Sequence, residues 1–470
     1  MAISWSLAVQ KREQAPSHHG LLVLVTTRLP SSVTVNVPPY AVALATQALS
    51  AGKIVFYAGA GISLSQPTNL PTGPYLAKAI HTRLKAAFPV LEDVDPWDLV
   101  AVADAVAALP GGENALRQTS AIAANFKSAK PGYAHRVLAH LMLEGAIDVL
   151  TTNWDNCIER GAGEERLPTV TSNRDLTDVT PPSVLKIHGC ASQPNSLLVT
   201  SGHLKDPPPW VREQTHARLG SAVVVFIGIG DVARYVKQRI EEAINEVDSV
   251  ENIRVVTPNI KSNWENSQWK TVAPNLRDDY KIPETADVFM EQVASAYIMG
   301  RLSEHSSGLT SDEVLTADLD KATEGLFESD SLAVLKWARE VDINWRAGES
   351  VLKSPELGKV LIALGRLAGN SARLRQNHVF DTDQGPIEVL VATQTVPSRH
   401  LVEAAEYRLQ DHANRGDPHP RFVVAGGVGP IPKPRSLPNN IMGDSDELDI
   451  VDGPLALVPD ITHADEVIAA

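Results

Sequence analysis

The 470-residue sequence predicts an α/β protein: an open parallel sheet carrying a helical insertion, followed by a C-terminal α/β region. Three observations lead there. Short, wholly apolar runs rich in β-branched residues recur along the first three hundred positions, as expected of strands buried on both faces of a parallel sheet. Each run stops at a glycine or a small polar cluster, and segments with apolar residues at three- and four-residue intervals lie between them. The chain also exceeds one ordinary domain of about 100 to 200 residues, so two or three domains are expected.

The first helix is predicted over 40–50, where Val42, Leu44, Ala45 and Leu49 share a face, and Gly52 stops it. A strand over 53–58 follows and ends in Gly59-Ala60-Gly61. Helical periodicity at 74–88, 96–109, 113–127 and 133–144 supplies the insertion. The next strand, 146–151, ends in Thr152-Asn153-Trp154-Asp155; a third, 184–187, ends in His188-Gly189; a fourth, 222–227, ends in Gly228-Ile229-Gly230-Asp231. A helix over 233–247 and a fifth strand over 253–256 close this domain between 265 and 300.

Beyond 305 the pattern changes to helices at 312–327, 331–340 and 351–368, then strand 387–392, helix 398–413 and strand 421–425. The prolines and glycines of 426–440 mark a linker. Residues 436–470 carry eight Asp or Glu and no Lys or Arg, the composition of a solvated acidic end. The expected organisation is an irregular extension over 1–38, a nucleotide-binding domain over 39–300, a helical and α/β domain over 305–430 and an acidic tail over 431–470.

Composition narrows the function classes. Apolar residues at 43% and charged residues at 21% exclude a disordered chain. A net charge of −14 repels a phosphate backbone, so direct nucleic-acid binding is not expected. Two cysteines, Cys157 and Cys190, fall short of a four-cysteine zinc module or a secreted disulfide framework, so no zinc is expected and a reducing cytoplasm fits. The longest apolar stretch near the start, 21–25, is too short for a membrane span, and no membrane association is expected.

The chemistry sits at strand ends, and an open parallel sheet binds ligands in the crevice beyond the carboxyl ends of its strands. Gly59, Ala60 and Gly61 form a turn in which backbone amides can approach a pyrophosphate, with the Ser63 hydroxyl in range; the same turn also serves as an ordinary tight connection. Thr152-Asn153-Trp154-Asp155 places an amide, a carboxylate and an aromatic ring at one strand end, where a ribose hydroxyl or a water and a carboxamide can be held, while Asp155 can equally cap a helix running through Cys157 and Ile158 and Asn153 can stabilise the turn. His188 is a titratable base at the mouth of the sheet, or else a satisfied core histidine. Gly228 and Gly230 offer another close backbone approach, and Asp231 a ribose partner or a helix cap.

In order and spacing these segments resemble the sirtuin superfamily, whose pattern is a Gly-Ala-Gly-Ile-Ser phosphate loop, a Thr-Gln-Asn-Ile-Asp segment, a histidine before glycine and a Gly-Thr-Ser-like turn. The resemblance covers roughly 40–300 and implies a Rossmann-like parallel sheet that binds NAD as its substrate. It also implies Asn153 and His188 as the catalytic pair, Gly59, Ala60, Gly61 and Ser63 at the phosphates, and Asp155 near the nicotinamide amide. The chain departs from the protein deacylases of that superfamily: no paired Cys-x-x-Cys follows His188, Trp154 stands in place of isoleucine, and Leu70-Pro71-Thr72-Gly73 replaces an Asp-Phe-Arg stretch. It looks more like the bacterial sirtuin-like NAD-hydrolysing effectors of anti-phage defence, which implies a homo-oligomer or a ring-shaped ATPase as regulatory partner.

Overall fold

The computed structural model describes residues 37–50, 52–230, 234–306, 313–341, 355–369, 372–375, 378–392, 395–428 and 460–470. Most of the expected extension over 1–38 lies outside the described residues, as do Asp231 and positions 431–459 of the expected acidic tail. The chain forms two compact units, 37–297 and the residues from 298 onward, and the division falls within the helix Ala286–Ser306.

In the first unit, strands β1 (Ile54–Ala58), β2 (Asp148–Thr151), β3 (Thr169–Val170), β4 (Val184–Lys186), β5 (Val223–Ile227), β6 (Ile253–Val256) and β7 (Lys281–Ile282) make one seven-stranded sheet in the order β3-β4-β2-β1-β5-β6-β7. Every pairing is parallel. This is the expected open parallel sheet, extended at both edges by the two-residue strands β3 and β7.

All five residues of β1 are buried, as its apolar sequence requires of a central strand with cover on both faces. Side chains alternate across it. Val55 and Tyr57 join a core with Phe226, Trp210, Ile240 and Trp269, whereas Phe56 meets Phe289 of the helix Ala286–Ser306 with ring centroids 6.4 Å apart. Phe289 also stacks on Tyr40 at 5.7 Å, which ties the first helix, Pro39–Leu49, to the same face.

Between β1 and β2 the insertion folds as Gly73–Leu84, Leu99–Ala107, Gly112–Ile122 and Tyr133–Leu143, each matching an expected helix but ending before its expected last residue. Asp98 sets one of those ends, its carboxylate accepting from Val100 N and Ala101 N at 3.0 Å each. The insertion has its own core of Leu76, Ile80, Val102, Leu116 and Phe126, into which Trp154 inserts.

In the second unit, helices Glu313–Phe327, Ser331–Glu340 and Pro355–Leu367 precede β8 (Ala372–Leu374), β9 (Val379–Thr382), β10 (Ile387–Val391), β11 (Arg421–Ala425) and β12 (Ile461–His463). The sheet order is β12-β11-β10-β9-β8, parallel through β10, β11 and β12 and antiparallel through β8, β9 and β10. Within the expected acidic tail, the described residues form regular structure: β12 pairs with β11, and the helix Ala464–Ala469 follows it. Arg366 Nη1 caps that helix by donating to the carbonyls of Val467 and Ile468 at 3.1 and 2.7 Å. Among the described residues no helix is long and apolar enough to cross a membrane.

Candidate active site

Strand register brings the motifs together. Ala58 at the end of β1 pairs with Thr151 on one side and Ile227 on the other, and Thr151 pairs with Lys186 of β4. The residues that follow these four strand ends, Gly59, Thr152, Ile187-His188 and Gly228, therefore emerge side by side along one edge of the sheet.

The two glycine turns brace each other. Gly59 N donates to Ile227 O at 2.9 Å, and Gly61 N to Gly228 O at 2.5 Å. A Cβ on Gly61 would lie 2.5 Å from that carbonyl oxygen, and one on Gly228 would lie 2.6 Å from Ile62, so each glycine is required by close backbone approach. Gly228 and Gly230 have φ of 68° and 65°, and Gly230 O accepts from Trp269 Nε1 at 2.6 Å. With the Gly59 and Gly61 amides engaged, exposed Ala60 keeps the amide of this turn that can meet an anion.

Behind the turn, the buried Ser63 hydroxyl is a junction. Its Oγ is 3.0 Å from His135 Nε2, donates to Asp155 Oδ2 at 3.0 Å and accepts from Asn153 Nδ2 at 3.1 Å. The other Asp155 oxygen accepts from Cys157 N at 2.9 Å. Asp155 thus caps a turn and not the helix expected through Cys157 and Ile158, and both of its carboxylate oxygens are occupied by protein donors. Burial by itself would raise the Asp155 pKa; the Lys186 charge and the hydrogen bond from the Cys157 amide act against burial, and the pKa lies below the ordinary carboxylate value. Lys186 is completely buried, pairs with Glu159 at 3.1 Å and donates to the Asp155 carbonyl.

Asn153 is 5% exposed and held by its backbone amide donating to Thr151 Oγ1 at 3.0 Å; its Oδ1 is buried with no partner among the described residues. His188 is likewise 5% exposed, and its Nε2 has no partner among the described residues. Burial, and then the charge of Arg239, lower the His188 pKa to about 3, so the imidazole is neutral near pH 7. The next residue, Gly189, has a φ of 82°, and a Cβ there would lie 2.2 Å from Ser196 O; only glycine lets the chain turn away at this point. Two buried polar atoms without partners, one acceptor and one titratable nitrogen, are what a reacting group needs to meet.

Thr152 N donates to Ala58 O at 3.0 Å, so this threonine tethers β2 to β1. Trp154 corrects the expectation of a ring beside the ligand, because it packs on Phe126 at 6.0 Å within the insertion core. His135 carries no signal in the sequence, since it lies within a helix and not at a strand end. Ligand atoms of His135, Asp155 and Cys157 lie within 4.8 Å of one another and could hold a metal ion. Ser63 already takes up the facing nitrogen and oxygen of His135 and Asp155, so hydrogen bonding accounts for their convergence.

A search of curated proteins finds no match to this chain. Solved structures similar to it include a complex of a mutant Sir2 homologue with ADP-ribose, 15% identical over 52% of this chain and 91% of that one with a TM-score of 0.30, and a Sir2 homologue–NAD complex, 18% identical over 52% and 89% with a TM-score of 0.29. Residues 148–273 match the family model of the SIR2-like domain. That match supports the sirtuin-superfamily resemblance over the segment that contributes Asn153, Asp155, His188 and Gly228.

Proposed function

We propose that this protein binds NAD across the glycine turns and hydrolyses it to nicotinamide and ADP-ribose. The observation that carries this reading is the pair of buried, unpartnered atoms, Asn153 Oδ1 and His188 Nε2, beside strand ends that can receive a dinucleotide. In the reaction the bond between ribose C1′ and the pyridinium nitrogen breaks heterolytically. The electron pair leaves with nicotinamide and the ribose becomes oxocarbenium-like, a cation that the Asn153 carbonyl dipole stabilises. Water bonds to C1′ and loses its proton to neutral His188. Burial weakens His188 as a base, yet that base suffices, because water bonded to a cationic carbon is strongly acidic. The Ala60 amide and the Gly228 and Gly230 turn border the phosphates and ribose; Thr152 and Asp155 act by holding their neighbours.

Hydrolysis is favoured over deacylation because the only two cysteines, Cys157 and Cys190, are both buried and cannot build the zinc module that shapes an acyl-lysine cleft. An enzyme that destroys a central cofactor has to be silent until triggered. We therefore read it as a regulated anti-phage effector of the cytoplasm, with a homo-oligomer or a ring-shaped ATPase as the control.

Incubating the protein with NAD, alone and with candidate activators, should release nicotinamide measurable by chromatography. Asn153→Ala and His188→Ala should each lower turnover by about 100-fold or more. Undiminished release in both variants would sink the assignment.

A further inference from the structure

We propose that His135 is a positioning residue which, through Ser63, locks the Asn153 amide with its carbonyl oxygen facing the substrate. The inference rests on the reading of the site as NAD-cleaving, and it adds a residue that no motif supplied. Its basis is the proton inventory at Ser63, a hydroxyl with one proton to give and two lone pairs to fill.

Three partners surround that oxygen: His135 Nε2 at 3.0 Å, Asp155 Oδ2 at 3.0 Å and Asn153 Nδ2 at 3.1 Å. An ionised carboxylate only accepts, so the Ser63 proton points at Asp155. The tautomer of His135 is set from its other side, where Nδ1 accepts from the Gly132 amide at 3.1 Å. A backbone N–H can only donate, so a neutral imidazole carries its proton on Nε2, directed at Ser63. Burial disfavours the charged ring, consistent with that neutral form.

One lone pair of Ser63 remains. It faces the Asn153 side chain, and a carbonyl placed there would meet lone pair with lone pair. The amide therefore turns its NH₂ inward and leaves Oδ1 as the buried atom without a partner. The inverted amide would put N–H dipoles against a carbon that develops positive charge, so the orientation bears directly on the rate. His135 thus acts on the reaction through two intervening side chains and touches no reacting atom.

Three substitutions separate this role from helix capping. Glutamine at 135 can place an amide N–H where Nε2 lies and loses the acceptor for Gly132, whereas asparagine keeps an acceptor near Gly132 and loses the donor to Ser63. His135→Ala should lower kcat by about 100-fold while the ADP-ribose affinity stays within about threefold. His135→Gln should recover at least about tenfold of that loss and His135→Asn should not; rescue by asparagine alone would show a cap and overturn the proposal.

Nitrogen NMR judges the relay independently of turnover. The wild-type protein should show the Nε2–H tautomer at His135, and side-chain amide protons of Asn153 protected from exchange in wild type and His135→Gln but not in His135→Asn. An Nδ1–H tautomer or unprotected Asn153 protons overturn the relay. Stoichiometric zinc in the purified protein that is lost with His135→Gln also overturns it. The expected NMR signals in a protein that releases no nicotinamide support the relay and refute the hydrolase reading.

Discussion

At His188, position and burial act together, for the same strand end that places the imidazole in the crevice also removes it from water. Its folded pKa of about 3 lies below the ordinary histidine value near 6.5, so between these the unfolded chain binds a proton that the folded chain refuses. The stabilising contribution is full above about pH 6.5 and is lost, at up to about 1.4 kcal/mol per pH unit, as the pH falls toward 3. Urea unfolding at about pH 7.5 and pH 5 should show His188→Gln losing about 2 kcal/mol less stability than wild type over that interval. Equal losses in the two proteins would mean that His188 is solvated. His188 and Asn153 were legible in the sequence because each follows a strand-like run, where a polar group has few structural duties. His135 was not, since a histidine within an apolar helix looks the same whether it packs or relays a proton position. Trp154 was misread for a related reason: adjacency in sequence to Asn153 does not show that the next side chain points into the insertion core.

At the scale of elements, the two glycine turns form one device. Gly61 and Gly228 are placed so that a hydrogen bond closes between two strand ends, and the brace leaves no volume for a methyl group. Gly61→Ala should cost about 1–3 kcal/mol from overpacking and should weaken ADP-ribose binding, read by thermal melting and calorimetry. Gly202→Ala is the control, because the nearest atom to its Cβ would be 3.8 Å away. A Gly61→Ala protein that melts and binds like wild type would show that the turns are not braced. The strands readable in advance were β1, β2, β4, β5, β6, β10 and β11, whose continuous apolar runs follow from burial on both faces. The others escaped for physical reasons. Strands β3 and β7 have two residues each, too few for a pattern, and β8, β9 and β12 are short strands of three, four and three residues whose side chains are only partly buried, so no continuous apolar run forms.

At the scale of the whole molecule, each unit carries its own hydrophobic core, with Leu390, Leu401, Phe422 and Val424 at the centre of the second. Hydrogen exchange tests whether the nucleotide acts at the site proposed in the first unit or elsewhere in the chain. Ligand binding stabilises the folded state by RT ln(1 + [L]/Kd), so ADP-ribose at about 100 times its Kd slows exchange through cooperative opening of its own unit by about 100-fold. Protection should fall on the turns after β1, β2, β4 and β5, the places where register aligns Gly59, Asn153, His188 and Gly228, and spread through the central strands of that sheet. Protection confined to β10, β11 and the helix Ser398–Arg415 between them would relocate the nucleotide to the second unit and refute the site assigned to the first. The same experiment on His188→Ala separates binding from chemistry: if His188 acts on the proton of the attacking water, the pattern of protection survives the loss of turnover.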